Sequence, residues 1–235
     1  MRAGTYPIAR FQVFGERSSG TNFVKRLIGK NTALDHSDEL GWKHGFAQML
    51  AVPRDMAVVC MVRNPERWAL SMFAKPWHST ADLQRLPFSQ FIRAEWQTII
   101  DKKRYFGKLG RNYMGRPLQQ DRDPITGQPF SSLFALRSAK LAHLMSFPTR
   151  DCTCVFLRLE EAQADPHATL NRIRTALGLQ FNPTDYRKVQ RPQGWRFRSA
   201  VGPRPATPSE MDASDRAFMW SVLDKTQEAR LGYRP

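Results

Sequence analysis

The strongest constraint on the fold of this chain is an uninterrupted apolar run, Ala57–Val62, which reads Ala-Val-Val-Cys-Met-Val. A strand of a parallel sheet is covered on both faces, so it shows no alternation of polar and apolar residues. Asn64 and Pro65 follow after Arg63, and this pair favours a helix start because proline suits the first helical position. The sequence therefore predicts a buried strand that leads into a helix.

The same pattern recurs on either side of this run. Phe11–Phe14 is a predicted strand, followed by a glycine-bounded loop and an amphipathic helix that stops at Gly29. Cys154–Leu159 is a third predicted strand, and Asp165-Pro166 opens a helix that ends at Gly178. Strands that alternate with helices indicate an α/β fold.

Three further helices are predicted from apolar spacing. They cover Phe88–Ile99, Ser131–Phe147 and a stretch that begins at a capping box in residues 207–210. Residues 181–208 contain five prolines and are predicted to be irregular. A chain of 235 residues suits one domain, so we expect a single domain over residues 1–235.

The net charge of the chain is +15, with 36 Lys and Arg against 21 Asp and Glu. Such a positive field attracts phosphate, sulfate, acidic glycans or nucleic acid.

Much of the excess positive charge lies in two stretches of the sequence. A basic loop, residues 101–130, has seven basic and two acidic residues within 101–122, together with Tyr105, Phe106 and Tyr113. A basic segment, residues 186–204, has six basic residues and no acidic one.

The loop from Gly15 to Thr21 has the Gly-x4-Gly spacing of a P-loop, with a hydroxyl residue after the second glycine. Such a loop turns backbone N–H groups and a helix N-terminus toward an anion. A nucleoside-triphosphate P-loop has lysine where this chain has Thr21, followed by Asn22. The cation available in this loop is Arg17. A tight turn without a ligand is the alternative for this loop taken alone.

A second candidate anion site follows the strand Ala57–Val62. Arg63 comes at its carboxyl end, and Ser71 lies eight residues further on, about two helical turns along. A guanidinium binds phosphate as a bidentate fork, and a serine hydroxyl donates to the same group. Ligands of open α/β sheets bind beyond the carboxyl ends of the strands, where both loops are expected. A surface salt bridge for Arg63 and a solvated position for Ser71 are the alternatives.

Together these motifs resemble the sulfotransferases that use 3′-phosphoadenosine 5′-phosphosulfate (PAPS). Their first signature, a basic residue before Ser-Gly-Thr-Thr, is similar to Arg17–Asn22, although Ser18 here separates the basic residue from Ser-Gly-Thr. Their second, Arg-Asn-Pro with a later serine, is similar to Arg63–Ser71, and Phe156–Glu161 resembles the start of a late strand-to-helix element. The resemblance implies a three-layer parallel sheet flanked by helices, the P-loop NTPase-like sulfotransferase fold.

The resemblance also implies roles for individual residues. The 5′-phosphosulfate is expected to contact Arg17, Ser18, Ser19, Gly20, Thr21 and Asn22. The 3′-phosphate is expected to contact Arg63 and Ser71. The family's loop that closes over the nucleotide is similar to a segment containing Arg191, Gly194 and Trp195.

The candidate base is His44, in Gly41-Trp42-Lys43-His44-Gly45, where family members often have a Lys-x-His element. Imidazole, with an ordinary pKa of about 6.5, accepts a hydroxyl proton near neutral pH. Arg17 and Lys43 are the expected catalytic cations. Structural or surface roles are expected for the other histidines, which are His36, His78, His143 and His167.

The predicted function is transfer of the sulfuryl group from PAPS to an acceptor hydroxyl, with adenosine 3′,5′-bisphosphate (PAP) as the product and no metal. The acceptor is expected to be a saccharide or glycoside; a phenol, a peptidyl tyrosine or a small natural product remains open. The basic loop 101–130 is expected to form the acceptor side of the cleft, with a solvated loop as the alternative, and the basic segment 186–204 is expected to fold over the nucleotide. The alternatives are a P-loop-like kinase or phosphotransferase, and a basic nucleic-acid-binding module. A kinase would need an aspartate at the end of a strand to hold Mg²⁺. The strand Ala57–Val62 is followed by Arg63 instead.

Apolar runs in the sequence are much shorter than the roughly 20 residues that cross a bilayer. The first residues carry no apolar run typical of a signal peptide. A soluble, cytoplasmic protein is therefore expected, and the sequence leaves its oligomeric state open. Cys60, Cys152 and Cys154 lack metal-site spacing and are expected to be free thiols.

Overall fold

The computed structural model of the protein describes residues 6–107, 109–190 and 196–235. The chain forms two compact units. The first unit contains the residues up to Asn64 and the segment that begins at Lys140, and the second contains Pro65–Ala139 and the segment that begins at Arg196. The single domain over residues 1–235 stays a prediction.

The first unit is built on a four-stranded parallel sheet. Its strands are β1 (Arg10–Gly15), β2 (Asp35–His36), β3 (Met56–Val62) and β4 (Thr153–Arg158). They are ordered β2-β1-β3-β4, and every neighbouring pair is parallel. Gly15 pairs with Met61 and Val62 pairs with Arg158, so three strands end at the same edge of the sheet. The α/β class is thereby confirmed, with a parallel sheet flanked by helices.

The helices alternate with the strands in the first unit and follow one another in the second. In chain order they are α1 (Thr21–Asn31), α2 (Pro65–Ala74), α3 (Ala81–Arg85), α4 (Phe88–Arg93), α5 (Leu133–Leu144), α6 (Leu159–Ala164), α7 (Pro166–Ala176), α8 (Ala213–Val222) and α9 (Lys225–Arg230). Over the described ranges, none of these helices combines the length and apolar character that a bilayer crossing requires.

Alternate residues of the central strands build the core of the first unit. Val13, Val59 and Met61 belong to one cluster of buried side chains. Val24 and Ile28 of α1 belong to the same cluster. Ile173 of α7 and Leu177, the residue that follows α7, belong to it as well. Because side chains alternate across a strand, this pattern shows that α1 and α7 cover the same face of the sheet. β3 is buried along its whole length, as its sequence predicted.

Three local predictions were wrong. The helix predicted over Phe88–Ile99 ends at Arg93, because the backbone beyond it pairs elsewhere, with Thr98 bridged to Ser79. The capping box at residues 207–210 does not start a helix; α8 starts at Ala213, after Asp212, whose side chain accepts from the Asp215 N–H. Gly29 does not end α1, because it keeps a negative φ and the helix continues to Asn31.

The cysteines are free thiols, as predicted. Cys60 on β3 and Cys154 on β4 lie with their sulfur atoms 3.9 Å apart. Burial raises the pKa of Cys60 well above its ordinary value and that of Cys152 to about 11. Both therefore remain protonated, and weakly nucleophilic, near neutral pH.

A buried ion pair crosses the core of the second unit. The Nε of Arg137 lies 2.6 Å from Oε1 of Glu228, and Nη2 lies 2.9 Å from Oε2. The arginine is 0% exposed and the glutamate 1% exposed. The guanidinium also stands 5.1 Å from the centre of the Trp68 ring. The pair thus links α5, α9 and α2.

We expect Arg137→Met to lower the free energy of unfolding by about 3–5 kcal/mol, because it leaves the Glu228 carboxylate buried without its bidentate partner. The double variant Arg137→Met, Glu228→Met removes both charges and is expected to recover most of this loss. Urea denaturation of the two variants and the wild type measures the difference. A double variant as unstable as the single one would contradict this account.

Candidate functional site

The loop Glu16–Gly20 joins the end of β1 to the start of α1. Ser18 and Gly20 have positive φ angles of 65° and 88°. The N–H and the hydroxyl of Ser19 both donate to the Glu16 carbonyl, at 3.2 and 2.7 Å, and close a tight turn. The first N–H groups of any helix have no intrahelical acceptor and carry its positive end. This loop therefore makes the start of α1 a candidate site for an anion.

The glycine before this loop, Gly15, and the glycine at its end, Gly20, are required by close packing. A Cβ on Gly15 would lie 2.5 Å from the Met61 carbonyl oxygen, and a Cβ on Gly20 would lie 2.3 Å from Cδ1 of Leu159. Gly20 also has a left-handed conformation that disfavours a side chain. The Gly-x4-Gly spacing thus has a steric cause: the loop lies against β3 and against the first residue of α6.

Arg63 connects the end of β3 to this loop. Its Nη1 donates to the Ser18 carbonyl at 3.0 Å, so the guanidinium supports the left-handed residue of the turn. Ser71, its predicted partner at a 3′-phosphate, lies on α2 in the second unit. The structure places Arg63 beside the loop, and the shared phosphate contact of Arg63 and Ser71 stays a prediction.

Arg17 and Lys43 add positive charge in the same unit. Arg17 is only 5% exposed, and its guanidinium carbon lies 5.8 Å from the centre of the Trp42 ring. The Nζ of Lys43 lies 2.5 Å from Oδ1 of Asn22, in the first turn of α1. Burial, and then the charge of Lys25, lower the pKa of Lys43. Both predicted catalytic cations therefore lie at the loop or at the start of the helix that follows it.

His44 is fixed by the last residue of β1. Its Nδ1 lies 2.7 Å from the Gly15 carbonyl oxygen, while the Gly15 N–H donates to the Lys43 carbonyl at 3.0 Å. Because a carbonyl only accepts, Nδ1 carries the proton and the ring lone pair is on Nε2. Burial, and then the charge of Lys43, lower the pKa of His44 well below its ordinary value, with smaller effects of Arg17 and Lys140 in the same direction. The imidazole is therefore neutral at pH 7.

Sequence reasoning missed Lys140, which contacts the same segment from α5. Its Nζ donates to the His44 carbonyl at 2.5 Å. The ammonium stands 5.7 Å from the centre of the Trp42 ring and 5.3 Å from that of Phe46. A lysine inside the otherwise mostly apolar stretch Ser131–Phe147 was the signal in the sequence.

Glu160 was also missed. Its Oε1 accepts from the N–H of Asn64 at 2.8 Å, so the first turn of α6 holds the backbone where the chain leaves β3. Nothing in the sequence indicates this contact, because it depends on the pairing of β3 with β4.

The remaining predictions concern the nucleotide cover and the basic loop 101–130. Arg191, Gly194 and Trp195 fall outside the described residues. The basic segment is tied at its start to α1, since Asn31 accepts from the Arg187 N–H at 2.6 Å and donates to its carbonyl at 3.0 Å. The basic loop 101–130, in the second unit, has short 3₁₀ turns and no α-helix among its described residues. Its Asp101 lies 2.8 Å from Nδ1 of His78.

The arrangement in the first unit suits an anionic ligand and a proton transfer. It combines a helix N-terminus, cations from four separate segments and a neutral imidazole. Across the three described ranges, no three His, Cys, Asp or Glu side chains are grouped to hold a metal ion. Comparisons with models of protein families, with curated proteins and with solved structures find no match for this chain.

We expect Gly20→Ala to cost about 1–3 kcal/mol of stability, because alanine is strained at this φ and its methyl group collides with Leu159. Gly29→Ala is the matched control. Gly29 lies inside α1, the helix that Gly20 precedes, with open space around it, and the substitution is expected to stabilise the protein by about 0.5–1 kcal/mol. Urea denaturation measures both. Equal effects of the two substitutions would show that the packing of Gly20 does not matter.

Proposed function

We propose that this chain is a PAPS-dependent sulfotransferase with the three-layer P-loop-like sulfotransferase fold. The observation that carries the proposal is the loop Glu16–Gly20 at the start of α1 together with the cations that contact it. None of these cations is at the position of the P-loop lysine. Arg63 donates to the loop at Ser18, and Lys43 contacts Asn22 in the first helical turn. Position 21, where a nucleoside-triphosphate P-loop has its lysine, is threonine.

In this proposal the 5′-phosphosulfate of the donor binds at the start of α1. The N–H and hydroxyl of Ser19 are already used inside the loop, so the N–H groups of Gly20, Thr21 and Asn22 are the ones assigned to the anion. Arg17 and Ser18 complete this end of the donor site. Arg63 and Ser71 are assigned to the 3′-phosphate, and Arg191, Gly194 and Trp195 to the nucleotide cover.

The proposed reaction is an in-line transfer. The acceptor hydroxyl gives its proton to Nε2 of His44 while its oxygen forms a bond to the donor sulfur. The bond between sulfur and the bridging oxygen breaks, and PAP leaves with the electron pair. Arg17, Lys43 and the loop N–H groups stabilise the charge that grows on the leaving phosphate. The low pKa of His44 supports this role, because the imidazole is in its proton-accepting form at pH 7.

The proposed acceptor is a saccharide or glycoside hydroxyl, bound by the basic loop 101–130. Tyr105 of this loop packs edge-on against Trp77, with ring centres 5.5 Å apart, and the Arg104 guanidinium lies 4.7 Å from its ring centre. Lys103 and Arg104 are exposed. Aromatic faces beside exposed cations suit a sugar that carries acidic groups.

Ligand binding distinguishes this proposal from a kinase. At hundredfold excess over its dissociation constant, PAP is expected to raise the melting temperature by about 5–10 °C, and more than ATP with Mg²⁺ does. Arg63→Ala is expected to weaken PAP binding about 10- to 100-fold, because a charge-assisted hydrogen bond is lost. Arg26→Ala, which removes the same charge from an exposed position on α1, is the control. A larger shift with ATP and Mg²⁺ would favour a phosphotransferase.

The rate of sulfate transfer tests whether His44 is the base. We expect His44→Gln to lower the rate of radiolabelled sulfate transfer from PAPS by about 10²- to 10⁴-fold, measured with the best substrate from a panel of saccharide and phenolic acceptors. The melting-temperature shift with PAP should persist in this variant. His167→Gln, a histidine that contacts the Pro183 carbonyl, serves as the control and should keep its turnover. Full activity of His44→Gln would remove His44 from the base role.

A further inference from the structure

Lys140 makes contacts with three alternate residues of one irregular segment, Trp42–Phe46. It donates to the carbonyl of His44, and its ammonium faces the rings of Trp42 and Phe46 at 5.7 and 5.3 Å. The segment belongs to no helix or strand. Its Gly45 N–H donates to the Trp42 carbonyl at 2.8 Å, which forms a single turn. The lysine therefore supplies, from α5, part of the support that a regular element would otherwise provide.

Burying this lysine is costly. Lys140 is only 5% exposed, and lysine is rarely buried to this extent because its ammonium loses its hydration. A methionine or leucine would fill the same space in α5 without that cost. The position of the ammonium against the carbonyl of His44 gives a reason for a charge here.

The Trp42 ring contacts both the ammonium of Lys140 and the imidazole of His44. Trp42 meets His44 edge-on, with ring centres 5.4 Å apart and planes at 90°. The imidazole is also held by the hydrogen bond that Nδ1 of His44 donates to the Gly15 carbonyl. The imidazole is thus held between the end of β1 and a tryptophan that faces the ammonium.

We infer that Lys140 is a positioning residue that fixes the orientation and the proton-accepting form of His44 through the Trp42–Phe46 segment. This inference rests on the proposed function, in which Nε2 of His44 accepts the proton of the acceptor. Lys140 itself touches neither donor nor acceptor in this account. It acts on the reaction through His44.

The charges that face His44 come from three segments. Lys43 is its neighbour in the chain, Arg17 comes from the loop after β1, and Lys140 comes from α5. His143, one turn after Lys140, packs edge-on against Phe46 with ring centres 4.6 Å apart. All the cations act in one direction, since each positive charge disfavours a second positive charge on the imidazole. Removing the charge of Lys140 therefore raises the pKa of His44, and so does any movement of the ring toward water.

The direct test is an NMR titration of the protein labelled in its five histidines. The His44 signal is assigned by its loss in His44→Gln. In the wild type we expect His44 to titrate below the ordinary histidine range, with ¹⁵N shifts that show the proton on Nδ1. In Lys140→Met we expect a higher pKa and loss of the fixed Nδ1–H form. Lys140→Gln keeps a donor for the His44 carbonyl without the charge, so it should retain the Nδ1–H form with a raised pKa.

Two further variants complete the test. Lys140→Arg keeps the charge and is expected to titrate close to the wild type. Lys30→Met removes the charge of an exposed lysine near the far end of α1 and should leave His44 unchanged. A folded Lys140→Met or Lys140→Gln protein whose His44 titrates as in the wild type would overturn the inference, and so would an equal shift in Lys30→Met.

Turnover separates this inference from the proposed function. We expect Lys140→Met to lower kcat/KM for sulfate transfer about 10- to 100-fold, because a displaced catalytic group is costly, and to move the acidic limb of the pH profile upward. The melting-temperature shift with PAP should remain. Unchanged kcat/KM beside an altered titration would overturn the role of Lys140 in the reaction. Absence of PAP binding and of transfer in the wild type, with the NMR result intact, would instead reject the sulfotransferase.

Discussion

The candidate site depends on the way β1 ends at Gly15. The N–H of Gly15 donates to the Lys43 carbonyl, and the Gly15 carbonyl accepts from Nδ1 of His44. Both backbone groups of this glycine therefore hold the segment that carries the proposed base. The same residue lies so close to the Met61 carbonyl that a side chain would not fit. Sheet packing, the candidate loop and the orientation of the imidazole therefore depend on a single backbone position.

Electrostatics in the first unit follow from where the chain puts its cations. Arg17 and Lys140 are both buried and both face Trp42, so a tryptophan ring offsets part of the cost of bringing two positive charges inside. These charges, together with burial, lower the pKa of His44 and keep its imidazole neutral. A site with this much positive charge and a neutral base matches a reaction in which the donor brings several negative charges and the acceptor brings a proton. This is the physical core of the proposed function.

The sequence predicted the parts of this architecture that depend on local pattern. An uninterrupted apolar run identified β3, short and mostly apolar stretches identified β1 and β4, and the glycine spacing identified the loop before α1. Prediction was wrong where tertiary pairing overrode local preference, as at residues 94–99, which are not helical and in which Thr98 bridges to Ser79. Lys140 and Glu160 were missed for the same reason: each acts on a residue far away in the sequence, at His44 and at Asn64.

The buried pair of the second unit has a consequence for the order in which that unit forms. Glu228 comes 91 residues after Arg137, so a nascent chain carries the guanidinium long before its carboxylate has been made. Until then, closing this core would strand a bare positive charge in an apolar interior. We therefore expect the core around α5 to close only after α9 has been synthesised.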